Sequence, residues 1–453
     1  MIQCWDEVTL DEISEDITVG HVGPMANQYV DIGVPFLRSL NVEPFRINTK
    51  DLKYIPREFH RSLKKSALKP GDIVIVRTGK PGSCAVVPSW LHEANCSDVV
   101  VVRAGPKVRP GYICYVVNST AAHHIDAHTV GAVQQHFNVG SARQIRLRLP
   151  PLAEQDRILS VLGTLDDKIE LNRRMNETLE ALARAIFKDW FVDFGPTRAK
   201  LEGRAPYLAL QIWELFPVRL DSEGKPEGWR ITVLEELLQD LETGGRPKGG
   251  VSAYTYGVPS VGAESIVGLG KFDYAKTKYI PRQFFDAMNK GHVKSRDVLL
   301  YKDGGRPGEY EPHLTLVGDG FPFDVFAINE HVYRLRAKAH FGQSLLYFWL
   351  SSDLAMEEMR IKGTGVAIPG LNSTQVKSLR ALLPTPDVAS AFDRLVEPAI
   401  SRILANCNET RSLARIRDLL LPKLMSGEIR VKDAEKIVEA VARAQRLHGA
   451  NLW

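Results

Sequence analysis

Few positions in this chain combine the residue types and spacing that covalent chemistry needs. Gly79-Lys80-Pro81-Gly82 holds a Gly-Lys pair, but the G-x-x-x-x-G-K-[ST] spacing is absent and Pro81 stands where a hydroxyl belongs, so no phosphate-cradling loop is read here. Pro150-Pro151 is followed by Leu152 rather than the aromatic of an amino-methylating loop, and it reads as a strand-to-helix boundary. His124 and His128 lie four apart with His123 adjoining, which on a helix would set two imidazoles on one face. No third ligand follows at recognisable spacing, and a partly exposed helix surface accounts for them as well. Cys84, His92 and Cys96 are irregularly spaced, and Glu235-Glu236 suits the solvated first turn of a helix. The five cysteines (4, 84, 96, 114, 407) are odd in number and never spaced C-x-x-C, which argues against a disulfide framework and a zinc ribbon. No catalytic residue and no metal site is assigned.

Binding chemistry remains. One loop offers Arg77, Thr78 and Lys80, and a second, similar loop offers Lys302, Asp303 and Arg306. Arg and Lys can take guanine O6/N7 or a phosphate, Asp accepts from cytosine N4, and the glycines between them let backbone approach a duplex. A second group is Arg38, Ser39 and Asn41, set against Glu264 and Ser265. A third is Gln134, Gln135, Asn138 and Arg143, with Lys362 and Thr364 in the other half; amides there suit adenine N6/N7. The alternative at each position is a tight turn whose polar groups face water. Several of the basic residues would only position a duplex through its phosphates.

These loops fall in pairs because the chain repeats itself. Tyr54-Ile55-Pro56-Arg57-Glu58-Phe59 recurs as Tyr279-Ile280-Pro281-Arg282-Gln283-Phe284, Gly33-Val34-Pro35 as Gly257-Val258-Pro259, and Gly71-Asp72-Ile73-Val74 as Arg296-Asp297-Val298-Leu299. Three matches in one order and at nearly one offset indicate a duplicated domain rather than a solenoid. Each copy reads as mixed α/β, with strands at Asp72–Val76, Val99–Arg103 and Val298–Tyr301.

Behind each copy the texture changes. Ile158, Leu162, Leu165, Ile169, Asn172, Asn176, Leu179, Ala183, Ile186 and Trp190 step by fours and threes, as do Phe392, Val396, Ala399, Ile403, Asn406, Thr410 and Leu413. This heptad pattern predicts two long helices packed as an antiparallel coiled coil, with polar Asn positions setting the register. The alternative is that each helix packs within its own globular half. Asn172 and Asn406 occupy the same step, yet Asn-Glu-Thr at 176–178 and 408–410 suggests a register two residues different. Pro398 marks a kink or a shifted helix start. The exposed helix sides and the aromatic cluster Phe187, Trp190, Phe191 and Phe194 are candidates for binding a partner, or else seal the helix against the second copy. A further amphipathic helix is expected around Asp433–Leu447, with Ile437, Val441 and Ala444 on one face. The expected fold class is α+β multidomain: two duplicated α/β domains separated by two long antiparallel helices forming a coiled coil. Its segments are 1–151, a long helix 152–195, a connector 196–227, a second copy 228–386, a long helix 387–427 and a tail helix 428–453.

At 453 residues, 44% hydrophobic and 25% charged, the chain is an ordinary multidomain globular protein. No apolar run is long enough to span a bilayer, and Met1-Ile2-Gln3-Cys4-Trp5-Asp6-Glu7 lacks the order of a signal peptide, so a cytoplasmic location is expected. A net charge of +4 permits nucleic-acid binding without requiring it.

Two similar modules on antiparallel helices have an approximate two-fold axis, as B-DNA does locally, and their differing loops would read two different short tracts. The order of α/β copy, Pro150-Pro151-Leu152-Ala153-Glu154-Gln155, Trp190-Phe191-Val192-Asp193-Phe194-Gly195-Pro196, Pro226-Glu227-Gly228-Trp229, second copy, and Leu421-Pro422-Lys423-Leu424-Met425-Ser426-Gly427-Glu428-Ile429 resembles the specificity subunit of type I restriction–modification systems. The resemblance covers essentially the whole chain. It implies that the two copies are target-recognition domains for an asymmetric bipartite site in double-stranded DNA, and that the chain itself is non-catalytic. It further implies two adenine-methylating modification subunits as partners, with ATP-driven restriction motor subunits recruited in turn. On that reading this chain binds no cofactor, and the complex uses S-adenosylmethionine and ATP/Mg through its other subunits. A freestanding DNA-binding protein on the same scaffold is the alternative.

Overall fold

The computed structural model describes residues 5–127, 137–306, 308–363 and 369–449. The chain divides into two compact units, one of residues 1–169 with 412–453 and the other of residues 170–411, so each long helix contributes to both.

In the first unit the strand Asp6–Thr9 pairs antiparallel with Arg146–Leu149. An antiparallel sheet follows in the order Ser14–Val19, Val99–Ala104, Ile73–Val76, Cys84–Val86. A second sheet runs Lys53–Ile55, Val34–Leu37, Ala94–Cys96, Ala67–Leu68, with its middle pair parallel. Ile73–Val76 and Val99–Val102 are buried on both faces, which suits their unbroken β-branched composition. The helix Pro110–Ala127 packs over the first of these sheets.

The second unit repeats this order. Arg230–Val233 pairs with Arg380–Leu383; Leu238–Thr243, Val332–Ala337, Val298–Tyr301 and Leu314–Leu316 form the antiparallel sheet; Lys278–Ile280, Val258–Val261 and Ala327–Ile328 form the mixed one. The repeated strings have identifiable causes. A Cβ on Gly33 would lie 2.3 Å from the Ile55 carbonyl oxygen, and one on Gly257 would lie 2.4 Å from that of Ile280. Only glycine lets the two strands close at that point. Pro56 and Pro281 each precede a one-and-a-half-turn helix, Arg57–Ser62 and Arg282–Ala287. Asp72 and Asp297 are buried at the head of equivalent strands. Each accepts a backbone N–H, from Lys69 at 3.0 Å and Lys294 at 2.7 Å. Each faces an arginine of the neighbouring strand, Arg103 at 3.8 Å and Arg336 at 2.6 Å.

The long helices run Leu152–Phe191 and Pro386–Ser426, 40 and 41 residues. In the first unit Ile158, Leu162 and Leu165 are buried with Leu413, Leu420 and Leu424, Ile169 packs against the same cluster, and Arg417 holds Asp166 at 2.7 Å. In the second unit Asn172 meets Glu409, Asn176 meets Asn406, and Phe187 meets Phe392, so the helices pair antiparallel. Val396 and Ile403 are buried there, and Ile400 rather than Ala399 fills the step between them. Asn172 and Asn406 do not pair with each other. Asn172 donates to Glu409 at 2.8 Å, while Asn406 donates to Asn176 at 2.8 Å, because in an antiparallel pair the two polar layers cross. Pro398 does not start the second helix, which runs unbroken through it from Pro386. It is exposed, and the carbonyl it leaves free belongs to exposed Arg394.

The segment after the first long helix forms the helices Gly195–Leu201 and Leu210–Trp213, and it buries Trp213 and Phe216 in the second unit. The tail helix is Val431–Gly449. Its inward face in the first unit is Val431, Ala434 and Val438, whereas Ile437 is 40% exposed and does not belong to the packed face as the hydrophobic pattern suggested. No helix of the described residues is long and apolar enough to cross a membrane.

Candidate nucleic-acid interface

The chain places its candidate loops at equivalent ends of the equivalent sheets. In the first unit, Arg77 and Thr78 follow the Ile73–Val76 strand, Ser39 follows Val34–Leu37, and Asp98 precedes Val99–Ala104. Thr78 Oγ1 donates to the Asp98 carboxylate, and Ser39 Oγ donates to Asp98 Oδ2 and to its carbonyl, both at 2.9 Å. Phe137 donates its backbone N–H to the Arg77 carbonyl at 3.2 Å, so the approach to the first long helix joins the same cluster. Next to Phe137, Asn138 accepts the Ser141 N–H at 2.9 Å and caps the helix Val139–Arg143. Gly79 and Gly82 take positive φ, and between them Lys80 is exposed at the tip.

The second unit builds the same frame from other side chains. Leu371 donates to the Lys302 carbonyl at 2.8 Å, matching Phe137 on Arg77, and Asn372 caps Ser373–Lys377 as Asn138 caps its helix. Asp303 Oδ1 lies 2.7 Å from His331 Nδ1, with His331 at the place that Asp98 holds in the first unit. Lys302 lies 5.9 Å from the Tyr333 ring centre and donates to the Glu330 carbonyl at 3.3 Å. The glycine loop, one residue longer, closes as a small hairpin of Gly305–Arg306 against Glu309–Tyr310, with Arg306 exposed.

Several candidates are structural. Asn41 is fully buried: its side-chain amide donates to the Asn48 and Lys50 carbonyls, each at 3.1 Å, and its Oδ1 accepts from Arg38 N. Ser265 is likewise buried. Neither hydroxyl nor amide is presented to a duplex, because these turns face the core. Arg38 donates to the Asp51 carbonyl at 2.6 Å, and Arg143 pairs with Asp11 at 3.1 Å. Glu264 pairs with Lys278 at 2.6 Å; burial pushes its carboxyl up, but Lys278 and backbone donation outweigh that and hold it below the usual range. Lys362 is held by Glu358 at 2.9 Å and by the Ser378 carbonyl at 2.8 Å. Gln134, Gln135, Thr364 and His128 lie outside the described residues, and His123 and His124 fall in the Pro110–Ala127 helix. Lys80 and Arg306 remain as exposed cations on equivalent glycine loops, with Arg77, Thr78, Lys302 and Asp303 half-buried behind them.

The aromatic cluster resolves toward packing. Phe187, Trp190 and Phe191 are at most 4% exposed and pack, mostly edge to face, against Phe348, Phe216, Trp229 and Phe392, and the Phe194 and Trp229 ring centres lie 6.0 Å apart, edge to face. Their faces are used inside the second unit, which removes them from a partner surface. The sequence patterns did not single out the segment Gly244–Gly257, where Arg246, Lys248, Tyr254 and Tyr256 are exposed and no carboxylate occurs. Its signal is a run of glycines interleaved with basic and aromatic residues. Among the described residues no group of three or more His, Cys, Asp or Glu side chains is placed to hold a metal ion.

Residues 45–181 match the family model described as "Type I restriction modification DNA specificity domain". The type I restriction enzyme MjaIX specificity subunit of Methanocaldococcus jannaschii is 25% identical, over 95% of this chain and 94% of its own length. The HindI specificity subunit of Haemophilus influenzae is 26% identical, over 94% and 99%. The fold is shared with the type I S subunit from M. genitalium, at a TM-score of 0.52 and 14% identity, covering 93% of this chain and 96% of that one. Over nearly its whole length the chain is similar to type I specificity subunits. A specificity subunit is the non-catalytic, DNA-recognising member of its restriction–modification complex.

Proposed function

We propose that each unit of this specificity subunit reads one short tract of double-stranded DNA, and that the two tracts differ, making the target asymmetric and bipartite. The observation that carries this is the repeated loop frame with exchanged side chains: Thr78 and Asp98 in one unit, Asp303 and His331 in the other. Equivalent backbone would meet equivalent grooves, while unlike donors and acceptors select unlike bases. Lys80 and Arg306 serve phosphate or guanine, and the segment Gly244–Gly257 adds further cations and stacking surfaces to the second unit. The long helices act as the spacer and as the dock for two adenine methyltransferase subunits, through which restriction motor subunits join. S-adenosylmethionine and ATP/Mg are then held by those partners, and a target adenine would be extruded by the methyltransferase and not by this chain.

The test is single-molecule sequencing of adenine methylation in a host with and without this gene. Loss of methylation at one motif of two short blocks around a fixed gap is the expected result. An unchanged methylome with the methyltransferase expressed would mean a freestanding DNA-binding protein instead.

A further inference from the structure

We propose that the side-chain clasp at the root of each glycine loop is the specificity-determining brace of that unit: Thr78–Asp98 in the first, Asp303–His331 in the second. This inference rests on the reading of both units as DNA-reading modules. The sheet registers make the two clasps equivalent. Val99 pairs with Val76 and Val332 pairs with Tyr301, so Thr78 and Asp303 each stand two residues beyond one strand end, and Asp98 and His331 each stand one residue before the other. Each clasp ties the root of its glycine loop to a neighbouring strand, just behind exposed Lys80 or Arg306.

The two clasps invert their chemistry. In the first unit the carboxylate lies on the strand side. Asp98 holds a left-handed backbone conformation with φ of +56°, which few non-glycine residues adopt, and it gathers the Thr78 and Ser39 hydroxyls. That ties the first candidate loop to the second. In the second unit the carboxylate has moved to the loop side, on Asp303. The place of Ser39 is taken by Ala263, which has no hydroxyl to give. His331 lies instead 3.5 Å from Glu330, which in turn holds Arg246 at 2.7 Å. The second clasp thus joins the glycine loop to the Gly244–Gly257 segment, and its link to the turn after Val258–Val261 is the charge of Glu264 near His331 rather than a hydroxyl. Each clasp decides which neighbouring loop moves with the glycine loop, and so which atoms are presented together to the groove. A brace of this kind sets discrimination between bases, whereas the exposed cations set attraction to the backbone.

The experiment uses the full-length chain co-purified with its methyltransferase subunits, and competition binding of duplexes carrying single base changes in either tract. Thr78→Val is expected to reduce discrimination at one tract by about fivefold or more, leaving the ratios at the other tract in place, and Thr78→Ser is expected to restore it. Asp303→Ala is expected to do the same at the other tract, with rescue by Asp303→Asn, whose Oδ1 still accepts from His331. Ratios unchanged in both variants, loss spread equally over both tracts, or no rescue by the conservative changes would each overturn the clasp. A wild-type complex that discriminates no base anywhere would overturn the recognition reading, and the clasp with it.

Discussion

At the scale of single residues, exposure separates the proposed contacts from supports. Lys80 and Arg306 stand free on glycine loops, while Asn41, Ser265, Asn138 and Arg143 spend their polar groups on turns, caps and an ion pair. Substituting Lys80 or Arg306 by Ala should weaken binding of the complex to DNA and lower the slope of log affinity against log salt by about one if the side chain meets phosphate. A slope unchanged in both variants would show that neither cation touches the backbone. Asp393 has a different task. It accepts the Gln343 and Leu345 backbone N–H groups, each at 3.0 Å, at the start of the helix Gln343–Leu350, and burial pushes its carboxyl up to about 6. A folded-state value above the ordinary one favours the protonated form in the folded state, so this group's contribution is greatest in acid and is lost as pH rises through about 6. Urea midpoints of the wild type and of Asp393→Ala should therefore converge as pH is raised from about 5 to about 7. A constant gap would show that Asp393 does not titrate there.

At the scale of elements, the helix pair is specified by its polar layers as much as by its apolar ones. The Asn176–Asn406 bond lies among buried residues, and Asn172 reaches Glu409 one layer away. Asn406→Leu alone leaves the Asn176 carbonyl without its donor and should cost about 1–3 kcal/mol. Replacing Asn176 by Leu as well should recover much of that, because a matched apolar layer has no stranded acceptor. Denaturant titration of the four-variant cycle measures the coupling, and additive losses would show that the amides do not interact. The aromatic cluster also belongs to this scale. Phe187, Trp190 and Phe191 fall on the helix face that the second unit covers, so Trp190→Ala should destabilise the second unit by about 3–5 kcal/mol. Loss of methyltransferase binding with unchanged stability would return these side chains to the partner surface.

At the scale of the whole molecule, a specificity subunit that uses its helices as a spacer has a geometric signature. Removing one helical turn of residues from either long helix should change or abolish the methylated motif, read by sequencing methylated DNA. An unchanged motif would leave the helices without that role. The duplication was legible because glycine and proline mark backbone positions that no other residue can fill, as Gly33 and Gly257 show. The long helices were legible because an apolar period near 3.5, sustained over about ten turns, fits a paired helix and little else. Function was legible mainly through resemblance along the helices and their flanks, since the loops proposed to meet DNA carry no spacing rule.

What the sequence determined by itself was local and periodic: the repeated strands, the two long helices, and the glycine loops with their cations. These follow from backbone sterics and hydrophobic period, which act between residues close in the chain. Long-range packing alone sets Asn176 against Asn406, turns Asn41 and Ser265 inward, and brings Thr78 to Asp98 where Asp303 meets His331. Those outcomes depend on which strands become neighbours. An amide or carboxylate takes whatever partner packing brings within about 3 Å, and one-dimensional spacing does not contain that distance.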